Sequence, residues 1–289
     1  MSLSSYIFCK MCTKSDKKRD EGLNIPEDVE YIRDIRYGEN KKYHTLDICW
    51  PKRIEEELPI IISVHGGGYV YGSKEVYQFY AASLAQMGFT VVNFNYRLAP
   101  KYKFPAPLED LNAVIGWLLA HQKEYPVDMQ NVFMVGDSAG AQIVSQYGAM
   151  YSNKAYASVM EMEVPKFTLK ALGLCCGTYD LKKKIETDAG KKAMRDYLSG
   201  TPLKFGEKLD VLKYITEDYP PTYLFSSQGD FLLKECKPMA ELLKSRGVNC
   251  EYKIYGNAQT YHVFHVDMRN EFSEEANREQ MEFFKEILI

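Results

Sequence analysis

The chain has 289 residues, of which 46% are hydrophobic and 26% are charged. This composition excludes a disordered chain, and the length allows one large α/β domain or two smaller domains. Lysine and arginine total 36 and aspartate and glutamate total 39, which gives a net charge of −3. That balance argues against a nucleic-acid partner and against a polybasic membrane anchor.

The seven cysteines are an odd number on a chain this long. Such usage is typical of reduced thiols, so we predict a cytoplasmic protein. Cys9 and Cys12 form an isolated C-x-x-C pair, for which two thiols on an N-terminal arm are a better interpretation than zinc or redox chemistry. No stretch approaches the ~18 apolar residues of a membrane span, and no secretory signal is expected.

Residues 1–28 are polar and rich in lysine and aspartate, and we interpret them as an N-terminal arm that is a candidate part of a cap. The catalytic domain is expected over residues 29–289. Strand-like patterns with continuous apolar runs, typical of strands buried on both faces, follow one another along it. They lie at residues 29–36, 42–50, 59–64, 89–96, 131–135, 169–175, 222–227 and 249–255.

Three segments show apolar residues at helical spacing. Their stripes are Leu108, Leu111, Ile115 and Leu118; then Leu232, Cys236, Met239 and Leu243; then Phe272, Ala276, Phe283 and Ile287. Early strands without helices, followed by alternating strands and helices, predict a mostly parallel α/β sheet with an antiparallel start and helices on both faces. Residues 178–221 interrupt this alternation and are predicted to be an insertion or lid.

The sequence GDSAG at residues 136–140 follows a predicted strand and precedes a helical segment. A serine at that position lies on a sharp strand-to-helix turn, where flanking glycines permit strained dihedral angles. Ser138 is therefore the candidate nucleophile. The alternative is a tight glycine turn that carries a passive serine.

The sequence HGGG at residues 65–68 follows another predicted strand. Consecutive glycines let backbone amides point at a small target, as in an oxyanion hole. A phosphate-binding loop is disfavoured because the Gly-Lys-Ser/Thr that should follow is missing. His65 itself is interpreted as a residue that shapes the loop.

A serine nucleophile needs a histidine base and a carboxylate that orients it. His262 and His265 are the histidines that follow the nucleophile along the chain, and Asp230 follows a late strand. Carboxyl ends of parallel strands meet at one edge of the sheet, so Asp230 and His262 are expected on the same edge as Ser138.

Taken together, these motifs resemble the bacterial hormone-sensitive-lipase-like branch of the α/β-hydrolase superfamily. The resemblance covers almost the whole chain from residue 29 and rests on five segments in order. They are HGGG at 65–68, YRLAP at 96–100 with Pro105, Ala106 and Asp110, GDSAG at 136–140, DFL at 230–232, and HVF at 262–264. The phenylalanine two positions after His262 favours this histidine over His265. Lys101 departs from the pattern, which usually has glutamate there.

The resemblance implies a serine carboxylesterase with Ser138, Asp230 and His262 as its triad. It also implies that the backbone amides of Gly67, Gly68 and Ala139 form the oxyanion hole. We expect a small-molecule ester substrate, no metal or organic cofactor, no nucleic-acid or membrane partner, and a monomer or homodimer.

Other functions remain open on the same residues. An arylformamidase-like amide hydrolase or a lipase would use the same triad, whereas a ligand-binding receptor of this fold lacks the histidine. The short arm and the lysine-rich insertion predict little apolar surface for a long acyl chain. Acetyl to butyryl esters are therefore the expected substrates.

Overall fold

An eight-stranded sheet runs through the computed structural model, which describes residues 1–54, 56–198 and 202–288. Its strands lie in the spatial order β1-β2-β4-β3-β5-β6-β7-β8. The pairs β1–β2 and β2–β4 are antiparallel, and the remaining pairs are parallel. The strands are β1 (Val29–Arg36), β2 (Thr45–Pro51), β3 (Leu58–Val64), β4 (Thr90–Phe94), β5 (Val127–Asp137), β6 (Leu169–Cys175), β7 (Thr222–Ser227) and β8 (Cys250–Tyr255).

This topology confirms the predicted α/β-hydrolase fold and its antiparallel start. The strand bounds differ from the expected ones mainly at the beginning of β5. That strand starts at Val127, which pairs with Leu58 across the sheet, rather than at residue 131. Asp128 and Gln130 interrupt the apolar run at the start of the strand, so the sequence pattern shortens it.

Helices cover both faces of the sheet. They are α1 (Leu3–Arg19), α2 (Gln78–Gln86), α3 (Ala106–His121), α4 (Ala139–Ser152), α5 (Lys154–Met160), α6 (Leu181–Lys184), α7 (Asp188–Met194), α8 (Leu233–Ser245) and α9 (Ser273–Leu288), with short 3₁₀ segments at Pro202–Leu209, Val211–Tyr214 and Phe264–Val266.

Two apolar cores result, one on each face. In β3, Ile60 and Ile62 point into the core formed with α3, α4 and α8. Ile61, between them, points into the core formed with α2 and α9. All three isoleucines are fully buried, which explains the run of three consecutive apolar residues in this strand.

The predicted N-terminal arm contains a helix, α1, that has no buried residue. Its cap is formed by Ser2, whose side chain accepts a hydrogen bond from the amide of Ser5. Among the described residues, no helix combines the length and the apolar character needed to cross a membrane.

In its described part, the insertion at residues 178–221 has an apolar side that its lysine-rich sequence does not suggest. The lysines of α6 and α7 are mostly exposed, while the apolar side of the insertion packs onto the core above α4. Its buried residues include Leu181, Ile185, Tyr197, Leu198, Leu209, Val211, Ile215 and Tyr219. Residues 199–201 of this insertion lie outside the described residues, as does Ile289 at the end of the predicted last helix.

Candidate active site

Ser138 lies between the end of β5 and the first residue of α4. Its backbone has φ 51° and ψ −114°, a conformation that L-residues rarely adopt. The Ser138 amide donates to the carbonyl oxygen of Cys175 at 2.9 Å, which ties the turn to the end of β6. The strained turn leaves the serine partly exposed between buried neighbours, as a nucleophile requires.

The two glycines of the GDSAG segment are required by close packing of backbone. A Cβ on Gly140 would lie 2.0 Å from the carbonyl oxygen of Val64, and a Cβ on Gly136 would lie 2.6 Å from the backbone of Gly140. Helix α4 therefore approaches β3 and β5 more closely than any side chain permits. This contact explains the spacing of the motif.

The glycine loop after β3 faces this turn. Gly67 has φ 110° and Gly68 has φ 58°, so both occupy the left-handed region. Among the hydrogen bonds found for the described residues, none uses the amide of either glycine as a donor. The amide of Gly66, by contrast, donates to the Tyr77 hydroxyl at 3.0 Å.

Tyr77 also connects the loop to the residue before the candidate nucleophile. Its hydroxyl donates to Asp137 Oδ2 at 2.8 Å. Burial raises the pKa of Asp137 to about 7, while the hydrogen bond from Tyr77 opposes that rise. A Cβ on Gly66 would lie 2.2 Å from Asp137 Oδ2, so loop and turn interlock through a buried carboxyl group.

Asp230 and His262 follow β7 and β8 and are joined by a hydrogen bond. His262 Nδ1 and Asp230 Oδ1 are 2.7 Å apart. The Asp230 side chain is fully buried, while 19% of the His262 side chain is exposed. The carboxylate thus fixes Nδ1 of the imidazole, so Nε2 is the ring nitrogen that can accept a proton.

Asp230 is held by two further donors. Ser226 Oγ donates to its Oδ2 at 2.7 Å, and the Leu232 amide donates to its Oδ1 at 2.9 Å. Burial opposes ionisation of this carboxyl group, but these hydrogen bonds and His262 lower its pKa below the usual value. For His262, burial favours the neutral ring, but Asp230 and then Cys176 raise the pKa to about 9.

Cys176 is a neighbour of this pair that the sequence analysis missed. It follows β6 directly, is fully buried, and has φ 49°. Burial disfavours its thiolate, but hydrogen bonds with Cys175 and His262 lower its pKa to about 6. The rule that located Asp230 and His262 applies to it as well, because β6 ends at the same edge of the sheet.

The other two histidines considered are buried. His65 stacks on Tyr96 with ring centroids 4.0 Å apart, and burial lowers its pKa to about 4. This neutral, enclosed ring agrees with a role in shaping the loop. His265 contacts Cys175, with Nδ1 3.2 Å from Sγ, and burial lowers its pKa to about 3. It lies in the core rather than on the surface.

Two exposed aromatic side chains, Phe231 and Phe8, lie beside His262 and over the glycine loop. Phe231 is 70% exposed, and its ring centroid lies 4.3 Å from that of His262. Phe8 of α1 lies over the glycine loop, with Cε1 3.7 Å from the position that a Cβ on Gly68 would take. The arm is fastened there by Tyr71, whose hydroxyl donates to Asp16 Oδ2 at 2.7 Å.

Comparison with known proteins agrees with this arrangement. The profile of the BD-FAE family matches residues 46–244. The chain belongs to the BD-FAE family. An acetyl esterase of Salmonella choleraesuis is 25% identical over 236 residues, which are 76% of this chain and 70% of that protein.

Two solved esterases have the same fold. Esterase B of Lactobacillus rhamnosis superposes with a TM-score of 0.90 at 23% identity, covering 98% of this chain and 94% of its own. An esterase of the archaeon Pyrobaculum calidifontis gives a TM-score of 0.80 at 24% identity, covering 99% and 95%. The predicted resemblance to α/β-hydrolase esterases is confirmed, as is the enzyme class of carboxylic ester hydrolases.

Proposed function

We propose that this BD-FAE family member is a serine carboxylesterase that hydrolyses short-chain acyl esters through an acyl-enzyme. The observation that carries the proposal is the Asp230–His262 hydrogen bond at the same edge of the sheet as the strained turn of Ser138. A nucleophile, a base and a carboxylate that fixes the base are the parts that acyl transfer requires.

In this mechanism, Ser138 attacks the ester carbonyl while His262 Nε2 accepts its proton. The same proton then passes to the leaving alcohol, and water repeats the sequence on the acyl-enzyme. Asp230 holds Nδ1 protonated, so Nε2 is the nitrogen that accepts. The buried carboxylate also stabilises the imidazolium that forms, which matches its raising effect on the pKa of His262.

The oxyanion would be bound by the backbone amides of Gly67, Gly68 and Ala139. The left-handed backbone of the two glycines supports this assignment, as does the engagement of the Gly66 amide with Tyr77. Ala139 is the first residue of α4, and first-turn amides have no partner within their own helix. The helix N-terminus adds a favourable field for negative charge.

The proposed substrates are acetyl to butyryl esters. Two observations support short acyl chains: the relatives are named acetyl esterases, and esterase B was solved with a C4 tributyrin phosphonate inhibitor. Phe8 above Gly68 also limits the space next to the proposed donors. The arm would then form part of a cap over the 29–289 domain, and the seven free cysteines suit a cytoplasmic enzyme.

The test is a series of chromogenic esters from C2 to C12 with the wild type and Ser138→Ala. We expect the highest kcat/KM between acetyl and butyryl esters, and a loss of about 10⁴–10⁶ in kcat for Ser138→Ala. Ser83→Ala is the matched control, because Ser83 lies on α2 and its hydroxyl donates to the carbonyl oxygen of Tyr80 within the same helix. Near wild-type activity in Ser138→Ala would refute the assignment, and kcat/KM that rises through C10 would favour a lipase.

A further inference from the structure

Three potential metal ligands meet at the ends of three neighbouring strands. The Cys176 thiol, an Asp230 carboxylate oxygen and a His262 ring nitrogen lie within 4.8 Å of one another. The proposed hydrolysis uses two of these groups and leaves the thiol without a role. We propose that this trio binds a thiophilic divalent cation, Zn²⁺ or Cd²⁺, and that the bound ion inhibits the enzyme.

The donor set matches the coordination chemistry of zinc. Zinc takes thiolate sulfur at about 2.3 Å and imidazole nitrogen or carboxylate oxygen at about 2.0–2.2 Å, usually with tetrahedral geometry. Ligand atoms around such an ion are then about 3.4–3.6 Å apart. The present separations run from 2.7 Å for Asp230 and His262 to at most 4.8 Å. Shifts of about 1 Å would therefore close the site, with water or substrate in the fourth position.

The protein holds the sulfur in place for this contact. Cys176 has a left-handed backbone at the end of β6, and its amide donates to the carbonyl oxygen of Phe225 at 2.9 Å. Ser226, whose hydroxyl binds Asp230, lies 3.7 Å from the same sulfur. A thiolate in the set selects zinc or cadmium over magnesium and calcium, which prefer oxygen ligands alone.

The charge balance favours a divalent ion. With Asp230 ionised and one proton shared between the Cys176 sulfur and the His262 ring, the trio carries one negative charge. Binding M²⁺ releases this proton, and the resulting M²⁺, thiolate, carboxylate and neutral imidazole sum to zero. The group thus exchanges one proton for one cation, and affinity rises with pH as the thiol and imidazole lose protons.

Coordination removes the base that hydrolysis needs. A metal on Nδ1 of His262 confines the single ring proton to Nε2, and a metal on Nε2 occupies that nitrogen directly. In both cases Nε2 has no lone pair for the Ser138 proton. This inhibitory part of the inference rests on the proposed function, whereas the metal site itself does not.

The experiment measures binding and inhibition separately. Cadmium is added to the wild type, Cys176→Ser and Cys49→Ser, and the ultraviolet thiolate-to-cadmium charge-transfer band is recorded. Cys49 is a buried cysteine of β2, remote from the strand ends, and serves as the matched control. Cys9 and Cys12 on α1 are partly exposed and contribute equally to all three proteins, so the difference between proteins is the signal.

We expect the wild type and Cys49→Ser to bind one cadmium ion per chain that gives a charge-transfer band. Cys176→Ser should lack this part of the band. Zinc should inhibit ester hydrolysis reversibly, with full recovery after chelation. The zinc concentration that halves the rate, measured for each protein against its own metal-free rate, should rise at least about tenfold in Cys176→Ser. Cys176→Ala provides the same comparison if the serine variant does not fold.

A charge-transfer band of equal size in Cys176→Ser and the wild type would overturn the site. Equal zinc sensitivity of the two proteins would overturn the inhibitory role, since the ion would then act elsewhere. A Cys176-dependent band in a protein without esterase activity would uphold the metal site and refute the proposed function. Activity that is lost in Ser138→Ala but insensitive to zinc would uphold the proposed function and overturn the inhibitory role.

Discussion

The strand ends that carry Ser138, Asp230 and His262 differ from helix α1, whose Phe8 lies over the glycine loop. At the strand ends, positions are fixed by close packing of the backbone. Helix α4 lies so near β3 that a Cβ on Gly140 would be only 2.0 Å from the carbonyl oxygen of Val64. Helix α1, by contrast, has no buried residue and is held by side-chain contacts such as the one between Tyr71 and Asp16. The reacting side chains therefore lie on a rigid framework, whereas the helix that limits access to them is held more loosely.

This difference predicts where substitutions act. Changes at the strand ends should alter turnover by orders of magnitude, because the reacting groups lose position or identity. Changes in α1 should alter substrate preference by small factors. Each prediction below tests one side of that contrast.

The largest effect is expected when His262 is replaced by alanine, and the same replacement of His265 is the comparison. His262→Ala should reduce kcat by about 10⁴–10⁶, since it removes the proposed base. His265→Ala should cost at least about 100-fold less than that in kcat, because this buried ring contacts Cys175 and not the triad carboxylate. Its main effect should be on thermal stability. Steady-state kinetics with melting curves decides, and the opposite ranking would move the base to His265.

Asp230→Asn should reduce kcat by about 10⁴, because an amide at this position favours the wrong tautomer of His262. Circular dichroism should show an intact fold, since the asparagine side chain is nearly isosteric with aspartate. A loss of less than about tenfold would exclude Asp230 as the residue that orients the base.

The pH profile tests the same pair. Burial favours neutral His262, but Asp230 and Cys176 raise its pKa to about 9. The base acts only when neutral, so kcat/KM should fall as pH decreases through a midpoint above the ordinary imidazole value of ~6.5. In Asp230→Asn the residual activity should have a lower midpoint. A flat profile between pH 6 and 10, an assay range, would argue against a histidine base.

Gly140→Ala tests the backbone contact behind Ser138. The new methyl group would meet the carbonyl oxygen of Val64 at 2.0 Å, so helix and strand must separate. We expect a loss of about 1–3 kcal/mol in the free energy of unfolding and about 100-fold in kcat. Gly116→Ala is the matched control, because nothing lies within 4 Å of its Cβ and it lies within α3. That change should be neutral or stabilising, and equal behaviour of the two variants would contradict the packing argument.

The contrast between local motifs and long-range packing explains how much of the fold and of the site can be predicted from the sequence. The succession of strands follows from local apolar patterns, and the placement of Ser138, Asp230 and His262 at strand ends follows from local motifs that each encode a turn. Cys176 was missed because no motif surrounds it, although it ends a predicted strand. The buried side of the insertion was missed because its lysines are adjacent in sequence, whereas buried side chains such as Tyr197 and Tyr219 are spaced along it. Their burial depends on contacts far away in the chain, for which no local pattern exists.

The smallest effect is expected at Phe8, on the looser side of the contrast. Its ring lies over Gly68, one of the proposed oxyanion donors, without being buried itself. Removing the ring in Phe8→Ala opens space beside the carbonyl that reacts, while Ser138 and His262 keep their positions. An octanoyl chain then gains room, so the ratio of kcat/KM for octanoyl over acetyl esters should rise about fivefold, which corresponds to roughly 1 kcal/mol. Leu3→Ala is the matched control, since Leu3 lies on the same helix and is 75% exposed. Should both variants keep the wild-type ratio, α1 would not set acyl length, and the selectivity for short chains would have to come from residues 178–221.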